Sequence, residues 1–440
     1  MFLEAFDARY FDYISKEPEK YAASRKEYFE ALEERGFKHH GEYIPSYFHP
    51  YVLDQKQFKA VARHGETMAE LLFKLYELFF AKEDIRQLFD FHPSLMEWME
   101  AKPGYDIPVP VSRYDAYYDP AKATMMFNEF NADGTSGMNE ANTMEEAFLA
   151  TPLGEKLGRE FDLYNCELRK NVLNVLLENY RKAGGTKATP NIAIVDWKES
   201  ASPEEFAALY KTFNAEGYPT VIADPRELTY EEGILSFGAF PIDLVYRRVV
   251  TVELIERRDE AKAFLQAYME GKVVTVGSMR TEIIHSKIIF CLLSDPAYSK
   301  YFTPGEQRFL KDHIPWTRKL SLKDSGLLRN VLREKDSLML KPHNGYASRG
   351  HIVGQDCTQA EWEENVRRLA DTNYIVQEKI PAPEKLLVTE GTLPGETLKV
   401  NLACYVFNGQ LAGFYTRVSP KVIITTLSGG ALIPTLVSRK

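Results

Sequence analysis

Two stretches hold the residues whose types and spacing could do chemistry: Phe127-Asn-Glu-Phe-Asn-Ala-Asp-Gly-Thr-Ser-Gly137 and, much later, Leu340-Lys-Pro-His-Asn-Gly-Tyr-Ala-Ser-Arg-Gly350. The first reads as a strand ending in an oxygen-rich cluster. Side chains two apart on a strand share a face, so Glu129 and Asn131 point the same way while Met126 and Phe130 pack the body. Val111-Ser-Arg-Tyr-Asp-Ala-Tyr-Tyr118 reads as its partner, with Arg113 and Asp115 on one face, and Asp119-Pro-Ala-Lys122 as the turn between them. One hairpin thereby gathers Asp115, Glu129 and Asn131. Hard cations such as Mg²⁺ choose that chemistry, keeping several waters and bridging a nucleotide's phosphates.

In the second stretch, Lys341 ends an apolar strand beside a turn, which predicts a lysine held at a sheet's edge as a point charge for phosphate. Asn344-Gly345 and Arg349-Gly350 allow a loop to turn its N–H groups toward phosphate. A lone Glu-x-Asn would read as a solvated hairpin face, and a lone glycine loop as a turn. Arg113-x-Asp115, Glu129-x-Asn131-x-Asp133 and the late lysine loop together favour a nucleotide site.

On these motifs the chain resembles an ATP-grasp carboxylate–amine ligase in circularly permuted order, of the glutathionylspermidine synthase kind. Members of that group carry a similar Arg-x-Asp…Glu-x-Asn-Ala-Asp pattern early and a Lys-Pro strand late. The likeness covers roughly residues 105–440. It implies an α/β (α+β) chain with an ATP-grasp fold, a pre-ATP-grasp α/β domain and an N-terminal helical region. It also implies ATP and Mg²⁺ as cofactors, with small-molecule carboxylate and amine substrates. In this likeness Lys287 of His285-Ser-Lys-Ile288, Lys341 and Lys399 contact the nucleotide, and Gly345, Ser348 and Gly350 line the phosphate loop. Gln377 and Glu378 fall on the adenine hinge, and Arg113 and Arg417 are candidates to hold the substrate carboxylate or the acyl phosphate by paired N–H contacts.

The departures bear on the substrate. Gly134-Thr-Ser-Gly-Met138 replaces the group's Thr-Pro-Thr-Ser-Leu run, and Tyr346-Ala-Ser-Arg-Gly350 replaces its Arg-Glu-Gly loop, so glutathione itself is not implied. No amidase portion is expected before the ligase portion. Thr135 and Ser136, with the backbone N–H groups of their turn, are expected to face the attacking carboxylate, the glycines allowing close approach.

These residues need elements to position them. A chain of 440 residues is long for one core and suggests several packed units. Residues 1–104 read as a helical region, with helices over 20–35 and 55–81. Residues 105–182 read as the metal-binding hairpin followed by two helices interrupted near 151–154. Strands within 190–197, 217–224, 241–248 and 272–276 alternate with helices, predicting a mostly parallel sheet in a pre-ATP-grasp domain over 190–275. The nucleotide-binding region follows over 276–440, with Asn408-Gly409 as a hairpin turn. Arg247-Arg248 ends an apolar strand, where an ion-paired terminus and a substrate role weigh equally.

Composition narrows the class. A formal charge of −9 argues against a nucleic-acid surface. The most apolar helical stretch, 68–80, is broken by Glu70, Lys74 and Glu77 and is too short to span a bilayer, so no membrane role is expected. Four scattered cysteines without a Cys-x-x-Cys pair, and no visible signal peptide, predict a reduced cytoplasmic setting. His39-His40 reads as a surface pair. Two other functions compete with the ligase: an ATP-grasp kinase acting on a hydroxyl, and a non-catalytic nucleotide-binding module. The joint presence of Asp115, Glu129, Asn131 and Lys341 counts against the module.

Overall fold

The computed structural model describes residues 2–39, 41–345, 350–426 and 429–440. Its largest sheet has six strands and joins distant parts of the chain. The early hairpin, Val111–Asp119 with Thr124–Asn131, pairs through Val111–Asp119 with Glu396–Phe407. That strand continues to Gln410–Ser419 and then Ala431–Ile433, all antiparallel, while Glu384–Leu387 covers the other end of Glu396–Phe407. Asn408 and Gly409, at φ 46° and 81°, form the tight turn expected of Asn-Gly.

The hairpin carries a bulge. Asp115 faces Glu129 but Ala116 faces Phe127, leaving Asn128 as the extra residue. A bulge resets the in–out alternation. Met125, Phe127 and Phe130 are therefore buried, whereas Met126 is half-buried, which corrects the expectation that Met126 packs the body. Phe130 stacks on Phe290 at 4.7 Å between ring centres.

A four-stranded sheet carries the lysine strand Leu338–Pro342, flanked by Ile352–Val353 and Tyr374–Glu378, with Thr317–Lys319 beyond. The helices Ser325–Arg333 and Gln359–Leu369 accompany it, pinned by Trp362, whose indole N–H donates to the Val331 carbonyl at 2.9 Å.

The third sheet is wholly parallel, in the order Val274–Val276, Leu244–Arg247, Ile192–Val195, Thr220–Ala223. Its two central strands are buried at every position, as strands covered on both faces are. The strand order reverses between Ile192–Val195 and Leu244–Arg247, so a crevice opens at their carboxyl ends, where Asp196 and Arg248 follow directly.

Between hairpin and parallel sheet run three helices rather than two: Met138–Ala150, Pro152–Phe161 and Leu168–Lys182. The first begins directly after Gly137, whose φ of 97° turns the chain from the loop following the hairpin into the helix. At the break, the Thr151 hydroxyl caps the Gly154 N–H at 3.0 Å and Pro152 opens the next helix. N-terminally, the helices Phe2–Lys16, Pro18–Glu34 and Gln55–Ala81 are joined to the rest through Tyr51–Leu53, which lies parallel to Thr435–Ser438. No helix among the described residues is long and apolar enough to cross a membrane.

Candidate active site

Two clefts meet at the early hairpin. The first lies between the six-stranded sheet, which contributes Asp115, Glu129 and Arg417, and the lysine sheet, which contributes Lys341 and Gln377. Lys341 is 3% exposed; its ammonium donates to Gln377 Oε1 at 2.6 Å and to the carbonyl of the bulged Asn128 at 3.4 Å. Burial brings its pKa down to about 8. Lys287, just past the helix Glu282–His285, places its ammonium 2.7 Å from Glu129 Oε1 and 2.6 Å from the Gly345 carbonyl. Burial works against the Glu129 charge, but Lys287 and then Lys341 outweigh it and hold the carboxyl well below the usual range.

The expected hinge residues lie at the end of Tyr374–Glu378. Gln377 is buried, receiving Lys341 and donating to the Thr317 hydroxyl at 3.0 Å. Glu378 is exposed and its backbone N–H donates to the Trp316 carbonyl. Gly350, at φ 76°, approaches Tyr374 so closely that an added Cβ would lie 2.8 Å from its hydroxyl. Ser348 lies outside the described residues. Lys399 is not brought to the cleft: its ammonium donates to the Pro420 carbonyl at 2.9 Å.

His351 was not singled out by sequence, yet it lines this cleft with a buried Nε2 that has no hydrogen-bond partner among the described residues. Burial, then Lys341 and Lys287, lower its pKa to about 3, so the ring is neutral. A histidine directly after Gly350 was the signal available.

Asp115 and Glu129 stand opposite one another on neighbouring strands. Both oxygens of Asp115 are engaged, Oδ1 by Arg113 Nε at 2.9 Å and Oδ2 by Arg417. The Asn131 amide donates to the Arg113 carbonyl at 3.4 Å. Among the described residues no three His, Cys, Asp or Glu side chains form a metal cage. Two facing carboxylates and a nearby amide nevertheless suit Mg²⁺, which is commonly bound by one or two carboxylates together with a nucleotide's phosphates.

The second cleft lies beyond this cluster, lined by Arg113, Asn131, Thr135, Ser136, Asp196 and Arg248, and Arg417 lines both clefts. Its loop differs from expectation. The Thr135 hydroxyl donates to the Asn131 carbonyl at 2.9 Å, and the Gly137 N–H donates to Glu205 at 2.8 Å, so neither is left facing a substrate. The Ser136 carbonyl accepts from Arg113 at 2.9 Å and from the Tyr405 hydroxyl at 2.8 Å. The glycines make room for the protein itself: a Cβ on Gly134 would meet the Arg248 carbonyl at 2.8 Å, and one on Gly137 the Tyr405 hydroxyl at 2.8 Å.

Arg247 and Arg248 are both ion-paired and buried, Arg247 with Asp133 at 2.6 Å and Arg248 with Glu205 at 2.7 Å. Asp133 also accepts the Thr251 N–H at 2.6 Å. Burial pushes the Asp196 carboxyl up to about 7, partly offset by Arg248.

The sequence matches no protein-family model and no curated protein. Among solved structures, the chain is similar to a glutathione synthetase like-effector (GSS30) from Globodera pallida in apo form, at 10% identity and TM-score 0.57, covering 95% of this chain and 96% of that one. An ATP-grasp ligase, PsnB, complexed with minimal precursor, matches at 13% identity and TM-score 0.31 over 57% of this chain and 91% of that one. D-alanyl-alanine synthetase A from Vibrio cholerae matches at 10% identity and TM-score 0.29 over 53% and 67% respectively. Over nearly its whole length the chain shares the fold of this glutathione synthetase-like protein.

Proposed function

We propose that this chain is an ATP-dependent carboxylate–amine ligase that forms an amide through an acyl phosphate. The observation that carries the reading is Arg417, which reaches into both clefts from its bond to Asp115. A group so placed can hold a carboxylate where phosphoryl transfer from one cleft meets a substrate in the other. The permuted motif order belongs to the same reading, supported by the early hairpin's place in the C-terminal sheet.

The chemistry has two displacements. A substrate carboxylate oxygen attacks the γ-phosphorus and ADP leaves; an amine nitrogen then attacks the acyl carbon and phosphate leaves with the bonding pair. Such transfers need positioning and charge neutralisation above all. Lys287 and Lys341 now rest on Glu129 and Gln377 and can exchange those partners for phosphate oxygens. Glu129 and Asp115, with Asn131, would hold Mg²⁺, which offsets phosphate charge when bound. Arg113 and Arg417 bind the reacting carboxylate, and Asp115 between them fixes both guanidinium groups.

The carboxylate substrate is amino-acid-like or peptide-like, with the Ser136 hydroxyl facing it in the second cleft. Four free cysteines support a cytoplasmic setting. The test is ADP release from ATP with amino acids, dipeptides and polyamines. ADP and phosphate release that requires both a carboxylate and an amine is the expected outcome. A product phosphorylated on a hydroxyl would replace the ligase with a kinase, and turnover with no combination would favour a binding module.

A further inference from the structure

Asp196 directly follows the central strand Ile192–Val195, at the crevice where the parallel sheet reverses its order, and lines the second cleft. It is half-buried, and its Oδ1 accepts the Trp197 N–H at 2.9 Å, which orients the carboxylate. The two arginines that act on its charge pair instead with Asp133 and Glu205, so among the described residues Asp196 has no ion-pair partner of its own. Other acids of this cleft are less available. Asp133 is committed to Arg247 and the Thr251 N–H, and Glu140 and Glu282 are 3% and 2% exposed. Farther along the same loop, Ser202 precedes the helix Pro203–Ala215 without capping it. It is 5% exposed and lines the cleft, and its hydroxyl has no hydrogen-bond partner among the described residues. A buried hydroxyl left alone is costly, and an N–H donor from a bound amine would satisfy it.

An amine reaches neutral solution protonated and cannot attack until a proton leaves. We propose that Asp196 is the catalytic base of amide formation, taking a proton from the substrate ammonium in the second cleft. The role rests on reading the chain as a ligase whose acyl group is held by Arg113 and Arg417 on the six-stranded-sheet wall of that cleft. An ammonium N–H bond breaks, its proton passes to the Asp196 carboxylate, and nitrogen keeps the electron pair. That pair forms the C–N bond as the acyl C–O bond breaks, and phosphate leaves with its bonding pair and the second nitrogen proton. Asp196, half-buried, then returns its proton to water. Burial raises its pKa to about 7, with Arg248 and Arg247 opposing and Glu253 assisting, so it ionises near neutrality yet holds a received proton. Glu140, Glu282 and His285 line the same cleft.

The test compares two acceptors, the amine that releases most ADP in the screen and hydroxylamine, each with the carboxylates of that screen. Hydroxylamine is unprotonated at neutral pH and traps an acyl phosphate without help from a base. Asp196→Asn should lower the amide rate at neutral pH by roughly 10²-fold and the hydroxamate rate far less. The parent's amide rate should climb with pH to a plateau above about 7. In Asp196→Asn it should keep climbing in proportion to the unprotonated amine, and Asp196→Glu should restore part of the rate and the plateau. Equal losses of the amide and hydroxamate rates in Asp196→Asn, or a pH profile unchanged from the parent's, would overturn the assignment. If Asp196→Asn does not fold, Asp196→Ser carries the same comparison. A parent that forms hydroxamate while the variant's ratio stays unchanged overturns the base alone. A parent that forms neither amide nor hydroxamate overturns the ligase reading and the base role with it.

Discussion

The two clefts hold their charges differently. In the first, Lys287 and Lys341 rest on Glu129 and Gln377, groups that nucleotide phosphates would replace in the proposed reaction. At the second, Arg248 lines the cleft and pairs with Glu205, while Arg247, behind the lining, is locked to Asp133 and further donates to the Val249 and Ser278 carbonyls. Sequence alone makes all four look alike, as cations at or just past the end of an apolar element. Arg247 shows the extreme: it is held by the Asp133 carboxylate, the carbonyls of Gly277, Val249 and Ser278 and the hydroxyls of Thr251 and Thr281. Lys287 and Lys341 each meet one side chain and one carbonyl, so the number of committed donors separates a cation that is scaffold from one that can be released. Arg417 stands between the two, paired to Asp115 and Asn401 yet facing both clefts.

Removing a locked cation should have the largest effect on stability. Arg247→Met leaves Asp133 buried without its counter-ion, and breaking a buried pair in this way typically costs about 3–5 kcal/mol. Urea denaturation should show that loss; a variant as stable as its parent would break the contrast between the clefts. Glu129→Gln, on the exchangeable side, should instead remove activity, lowering ATP turnover by roughly 10²–10³-fold, the scale of losing one electrostatic group at a reacting centre. Turnover near the parent's level would remove Glu129 from the proposed phosphate and metal site.

A smaller effect is expected at the second cleft's rim. Ser136→Ala should raise the KM of the carboxylate substrate more than that of ATP, because a hydrogen bond to a charged group is worth ~1.5–3 kcal/mol, roughly ten- to a hundredfold. Equal KM changes for both substrates would detach Ser136 from carboxylate binding.

The last is a pH dependence, read as a change in stability rather than in activity. Asp196 has a folded pKa of about 7 because burial opposes its charge, with Arg248 and Arg247 drawing it down and Glu253 pushing it up. An unfolded aspartate titrates near ~3.9, so the folded state holds this proton more tightly. The stabilisation is fully present below about pH 4 and is lost as the pH rises through about 7. Urea midpoints of the parent and Asp196→Asn should converge in acid and separate toward neutrality, with the variant the more stable. Parallel curves would mean that Asp196 titrates normally.

Much of the local structure was legible from residue order. The helix at Gln55–Ala81, the Asn408-Gly409 turn and the alternating strands after Pro190 follow from periodicity and turn chemistry, which are local properties. Glu129 with Asn131, and Arg113 with Asp115, could each be placed on one face because strand geometry repeats every two residues. The Asn128 bulge broke that repeat within the same strand. Nothing in the types of Asn128 or its neighbours announces the extra residue, which is defined by the partner strand's register.

What the sequence by itself determined is the set of groups: two carboxylates and an amide on a hairpin, a lysine ending an apolar strand, a glycine loop and an apolar β-α rhythm. These depend on residue identity and short-range spacing. What only the tertiary structure decided is pairing. Asp115 is held by Arg417, 302 positions away, and Glu205 reaches the Gly137 N–H across 68 positions. Partner choice for a buried charge depends on which opposite charge the packed chain brings within hydrogen-bond reach and shields from water. Sequence spacing carries no record of that distance.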